Sequence, residues 1–226
     1  MERPLFKLGA RLEACALFVR EGTSLADIGT DHAYLPVWLI KTGRISRAVA
    51  ADIRTGPLEA AARNAEKYGV SLELRLSDGL RNISPEEAED VVIAGMGGEL
   101  IARIVGETDW LRNPRKRLIL QPMSSVEELR HGLSELGFEV LEERAVTDSG
   151  KVYSAFAAHY IGRKPETELC FPVMGKIAPG GEASRRYAEK VLKSLQNRAA
   201  GLEHEGKRRE REQLLSLMEA VRKRYL

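Results

Sequence analysis

Two hydrophobic periods alternate along this chain. Leu8, Leu12, Cys15, Ala16 and Val19 recur at helical spacing and predict an amphipathic helix over 7–20. A compact apolar run at 24–28 then stops at an acid and a glycine, which reads as a strand and a turn. The pattern repeats as helix 34–42, strand 47–52, helix 55–68, strand 70–76, strand 90–94, helix 99–106, strand 117–121 and helix 125–136. Pro36 is tolerated in a helix's first turn; Thr55 and Pro57 open the next helix and Gly69 closes it. Residues 138–147 and 151–161 read as two last strands joined by Asp148-Ser149-Gly150. Strands alternating with helices and finished by a hairpin predict an α/β fold with a mostly parallel sheet and one antiparallel strand.

The segment 162–181 is rich in Pro and Gly and reads as a linker. Beyond it, Val191, Leu195 and Leu202 form one apolar stripe, and Leu214, Leu217, Met218, Val221 and Tyr225 form another. A turn at 203–207, containing Gly206, makes these an antiparallel helical hairpin. The expected division is therefore a main domain over 1–163 and a linker with helical hairpin over 164–226.

Charge sharpens this division. Residues 182–226 carry 12 Lys+Arg against 7 Asp+Glu, a net +5, whereas the rest of the chain is at −3. A basic tail on a mildly acidic body points to a polyanionic partner. Lys207, Arg208, Arg209 and Arg211 are its densest cluster, and Arg3, Lys7 and Arg11 are candidates to extend that surface. Cys15 and Cys170 have neither disulfide nor metal spacing. No stretch resembles a signal peptide or approaches the roughly 20 apolar residues of a membrane span. A cytoplasmic protein without a metal is the expectation.

Strand ends carry the chemistry. In open parallel sheets ligands bind beyond the carboxyl ends of the strands, where the strand order reverses. Asp27, Gly29 to Tyr34, Asp52, Asp78-Gly79, Gly95 to Gly98 and Gln121-Pro122 all fall at such ends. A dinucleotide site would need Gly-x-Gly-x-x-Gly at the first turn. Here the turn reads Gly29-Thr30-Asp31-His32-Ala33-Tyr34, with only the first glycine, and Asp31 puts negative charge where a pyrophosphate would lie. A cationic, phosphate-free ligand fits better. S-adenosylmethionine is one: Asp27 and Asp31 suit its positive groups, Gly29 gives backbone access, Asp52 suits the ribose diol and Asp78 the adenine amino group.

Asp-Ile-Gly-Thr-Asp-His-Ala-Tyr-Leu-Pro at 27–36, Ala51-Asp52-Ile53, Ser77-Asp78-Gly79-Leu80, Ile93-Ala94-Gly95-Met96-Gly97-Gly98 and Leu120-Gln121-Pro122-Met123 together resemble the bacterial tRNA (adenine-22-N1)-methyltransferase family, TrmK. The resemblance covers residues 7 to about 161, and the tail more loosely. It implies a Rossmann-like class I methyltransferase sheet with a small C-terminal coiled-coil hairpin. It also implies S-adenosylmethionine-dependent methylation of adenine N1 in the tRNA D-arm region. By position, it places Asp27, Gly29, Asp31, His32 and Tyr34 at the methionine side of the cofactor, Asp52 and Ile53 at ribose and adenine, and Asp78 and Gly79 over the adenine ring. Gly95-Met96-Gly97 stands where many amino methyltransferases grip the target base with Asn/Asp-Pro-Pro-Tyr, which this sequence lacks.

That absence has a chemical reading. Neutral adenine has a free lone pair at N1 and no proton to lose there, so attack needs alignment rather than a base. Asp31, His32, Gly95, Met96 and Gln121 are thus expected to position, with Asp31 placed to stabilise the cationic product ring. The expected partner is tRNA, with neither DNA nor membrane, and the protein is expected to be a monomer. Methylation of a small molecule or protein, and a non-catalytic adenosylmethionine-binding RNA adaptor, are the alternative readings.

Overall fold

The computed structural model describes residues 4–226. Its strands are β1 (Ser24–Ile28), β2 (Arg47–Asp52), β3 (Glu73–Leu76), β4 (Asp90–Gly97), β5 (Arg117–Ser124), β6 (Phe138–Asp148) and β7 (Lys151–Tyr160). They form one sheet in the order β3-β2-β1-β4-β5-β7-β6. Strands β1 to β5 pair in parallel, and β7 runs antiparallel between β5 and β6. The expected mixed sheet with one antiparallel strand is what forms.

The helices are α1 (Ala10–Phe18), α2 (Tyr34–Lys41), α3 (Thr55–Tyr68), α4 (Gly98–Gly106), α5 (Val126–Glu135), α6 (Phe171–Met174), α7 (Glu182–His204) and α8 (Arg208–Tyr225). All five residues of β1 are buried, as a central parallel strand covered on both faces requires. Its alternation supplies both layers. Ala26 and Ile28 pack with Ile101, Ile104 and Leu129 of α4 and α5, while Leu25 packs with Cys15, Phe18, Leu35 and Leu39 of α1 and α2.

Three departures have local causes. The strand expected from residue 70 starts at Glu73, because the Val70 N–H is spent on the Ala65 carbonyl in closing α3 at the left-handed Gly69. The strand expected to stop at 121 continues through Pro122 to Ser124. A register shift around Met96 in β4 lets Pro122, which has no N–H to give, stay in the ladder. The Pro/Gly-rich stretch is ordered: it holds α6, and Cys170, Val173, Met174 and Ile177 are buried with Tyr187, Leu195, Met218 and Val221 of the hairpin.

A buried ion pair ties α5 to β6 and reaches the hairpin through Tyr187. Arg130 of α5 donates from Nη2 and Nε to Glu143 of β6 at 2.5 and 3.3 Å, from Nη1 to the Pro172 carbonyl at 2.9 Å, and from Nη2 to the Tyr187 hydroxyl at 3.1 Å. Glu143 also accepts the Lys176 N–H at 3.1 Å. A Cβ at Gly175 would overlap the Glu143 carboxylate, so the chain passes here only as glycine.

Candidate functional site

The strand order reverses between β1 and β4, and the turns leaving these two strands meet. After Ile28 the chain enters Gly29 at φ +76° and goes on to Asp31 at φ +43° and Ala33 at φ +52°. Left-handed backbone at a non-glycine costs about 1–3 kcal/mol and gathers where surrounding structure enforces it. The enforcement is visible: the Gly29 and Thr30 N–H groups both donate to the Ala51 carbonyl, at 2.8 and 3.1 Å, and Asn64 donates to the His32 carbonyl at 2.9 Å.

This turn sorts its acids by burial. Asp27 is 7% exposed and accepts the Thr30 hydroxyl at 2.6 Å. Burial pushes its carboxyl up from 3.8 to about 6, with the Thr30 bond opposing and the Asp52 charge adding. Asp52, also buried, accepts the Arg54 N–H at 2.9 Å. Asp31 and His32 stand at the open mouth, 3.8 Å apart, with side chains 77% and 47% exposed. Tyr34 is half exposed, and its ring begins an aromatic chain through Phe6 at 5.2 Å to Tyr68 at 4.9 Å. Nothing in the sequence pattern marked Phe6 and Tyr68 as part of this wall. Ile53 offers an apolar side chain, 62% exposed, beside Asp52.

Asp78 follows the end of β3 and is held by two arginines. Arg81 and Arg103 reach it at 3.2 and 3.7 Å, so its carboxylate already faces two cations. Gly79, at φ +59°, passes Ile104 so closely that a Cβ would sit 3.1 Å from that side chain.

On the β4 side, Gly95 has φ +78° and Met96 lays its methyl where a Cβ at Gly29 would be. Gln121 sets this arrangement from behind. It is fully buried; its Oε1 accepts the Gly95 N–H and Arg11 Nη1, each at 3.2 Å, and its Nε2 donates to the Pro122 carbonyl at 2.9 Å. The Gln121 amide is thus engaged by Gly95, Arg11 and Pro122. Arg11 is likewise no free cation, since its Nε donates to Asp148 at 2.6 Å and its guanidinium lies 5.4 Å from the Tyr153 ring. Of the Gly97-Gly98 pair, Gly98 serves close packing: a Cβ there would overlap the Ser125 carbonyl oxygen and lie 2.9 Å from that of Ser124.

The basic candidates divide in the same way. Lys7 is exposed, and Arg3 lies outside the described residues. At the hairpin tip Lys207 pairs with Glu205 at 2.7 Å, Arg208 with Glu212 at 3.0 Å and Arg211 with Glu203 at 3.4 Å. Arg209 is exposed. Among the described residues no helix is long and apolar enough to cross a membrane. Cys15 and Cys170 are both buried free thiols.

Comparison with known proteins fits this geometry. A family profile described as a methyltransferase domain matches residues 8–156. The tRNA (adenine(22)-N(1))-methyltransferase of Bacillus subtilis is 37% identical over 154 residues, which are 67% of this chain and 65% of that protein. The chain thus spans about two thirds of the length of this curated relative. Solved structures align over more. The Bacillus subtilis m1A22 tRNA methyltransferase TrmK is 29% identical with a TM-score of 0.79, over 97% of this chain and 99% of that one. A Streptococcus pneumoniae candidate tRNA (m1A22) methyltransferase, solved with S-adenosyl-L-methionine, is 31% identical with a TM-score of 0.73, over 94% and 97%. The chain belongs to the bacterial tRNA (adenine-22-N1)-methyltransferase family.

Proposed function

We propose that this protein transfers the methyl group of S-adenosylmethionine to N1 of adenine 22 in tRNA. The observation that carries the chemistry is the pair of buried carboxylates, Asp27 and Asp52, flanking the left-handed Gly29 turn at the switch point. Buried acids at a strand end suit a cationic ligand with a ribose and repel a diphosphate. The family supplies the nucleotide and its position.

When bound, the cofactor supplies an electrophilic methyl group on a cationic sulfur. Asp27 would hold the cationic methionine end, beside Gly29 and the Met96 methyl packed on it. Asp52 accepts from the ribose hydroxyls through the oxygen not taken by Arg54. Ile53 would cover one face of the adenine, and Gly79, packed against Ile104, would border the other. Asp78, already paired, orients Arg81 and Arg103 at this rim as well as facing the adenine amino group.

The target base needs alignment. Its N1 lone pair attacks without prior deprotonation, so no residue here serves as an obligatory base. The Gly95-Met96-Gly97 backbone aligns the base, and Gln121 is a positioning residue that fixes Gly95. Tyr34 and His32 offer rings for stacking, and the exposed Asp31 carboxylate stabilises the positive charge that develops on the adenine. N1 lies on the pairing edge, so the base must leave its stack to react. The protein acts as a monomer in the cytoplasm, in two units over 1–163 and 164–226.

The test incubates the purified chain with methyl-labelled cofactor and total bacterial tRNA, then digests the RNA to nucleosides. Label in N1-methyladenosine is the expected result. Label in another nucleoside, or in none, overturns the proposal.

A further inference from the structure

The proposed site accounts for a cofactor and a base, but not for the strand that carries the base. A depression of about 530 Å³ lies beside it, between the start of β7 and one face of α7, with Met123 at its edge. Met123 sits between Pro122 and Ser124, whose partners on β4 are Met96 and Gly97, so the depression adjoins the proposed base position. Lys151, Arg186, Lys190 and Lys193 line it against a single carboxylate, Glu189.

Its cations are built in two ways. Lys190 donates to the Val152 carbonyl at 3.0 Å and lies 5.7 Å from the Tyr153 ring, and Arg186 donates to the Gly150 carbonyl at 2.9 Å. Lys190 is held by neutral backbone, and Arg186 also meets Glu182 of its own helix at 3.9 Å. Lys151 and Lys193 are exposed, and neither has a carboxylate within ion-pair distance among the described residues. The hairpin tip differs: three of its four cations are paired with acids of their own hairpin. The depression next to the site therefore carries a larger excess of cations over acids than the hairpin tip does.

We propose that this depression seats the sugar–phosphate backbone flanking the target adenine, with Lys151, Arg186, Lys190 and Lys193 facing its phosphates. The proposal rests on the tRNA reading above. It makes the near face of α7, rather than the hairpin tip, the principal RNA contact of the C-terminal unit. Phosphate contacts of this kind set affinity and its salt dependence without reading sequence.

The test uses the full chain and an unmodified tRNA transcript, with Lys151→Ala/Lys193→Ala compared with Arg208→Ala/Arg209→Ala. The depression variant should bind tRNA at least about fivefold more weakly, and its slope of log affinity against log salt should be shallower by roughly 1.5 to 2. Cofactor affinity should stay within twofold of wild type, which shows that the fold is intact. The tip variant should lose less. Wild-type methylation of tRNA with an unchanged slope in the depression variant would overturn this surface alone. A wild-type chain that neither binds nor methylates tRNA would overturn the function reading as well.

Discussion

Replacing Arg130 with methionine probes how the helical hairpin is held to the sheet. Arg130 and Glu143 have side chains 1% and 0% exposed, so neither charge can be rehydrated in place. Without the guanidinium, Glu143 keeps one donor, the Lys176 N–H, and the Pro172 carbonyl loses its partner. Breaking a buried pair costs about 3–5 kcal/mol, and an orphaned carbonyl about 1 kcal/mol or more. For a chain of this size each kcal/mol lowers the melting temperature by about 2–4 °C, giving a fall of roughly 10–20 °C. Calorimetry or circular dichroism melts would measure it. The double variant Arg130→Met/Glu143→Leu removes both charges and should recover most of the loss. A single variant melting within about 3 °C of wild type refutes the reasoning, as does a double variant whose loss equals the sum of the two singles.

Further outcomes concern the cleft. Gln121→Leu leaves the Gly95 N–H and Arg11 short of an acceptor, and should lower kcat about tenfold with little change in cofactor KM; Gln121→Glu, which keeps that acceptor, should recover part of it. Equal loss in both variants counts against positioning. Because Asp27 must be ionised to meet a cation and sits at about 6 in the free chain, cofactor affinity should rise by up to about tenfold per pH unit as pH climbs toward 6, then level off. Asp27→Asn should flatten that profile in titration calorimetry. On stability the sign is opposite: the raised pKa contributes stability below about pH 4 that is lost as pH rises through about 6, about 3 kcal/mol in full. Gly98→Ala forces a methyl into the Ser125 carbonyl, and should cost about 1–3 kcal/mol in urea unfolding.

The strand ends were legible because central parallel strands are continuous apolar runs whose punctuation marks their carboxyl ends. Asp27-Ile28-Gly29, Ala51-Asp52 and Ala94-Gly95 are such punctuation, and the fold brings them to one crevice. What stayed hidden depends on contacts distant in sequence. Gln121 shows its role only through Gly95 and Arg11, 26 and 110 residues away. The Pro/Gly-rich stretch before α7 looks like a linker because its order comes from burial against the hairpin and from Glu143, not from its own propensity. The hairpin-tip cluster reads as free charge until Glu203, Glu205 and Glu212 are placed beside it. Of these pairs, only Arg208–Glu212 has helical i,i+4 spacing that could have warned of it.

The most direct measurement compares two tRNA transcripts that differ only in carrying adenine or guanine at position 22. With purified protein and labelled S-adenosylmethionine, the account predicts one methyl group per adenine-22 transcript, recovered as N1-methyladenosine at that position, and none on the guanine-22 transcript. Equal incorporation into both transcripts would contradict it.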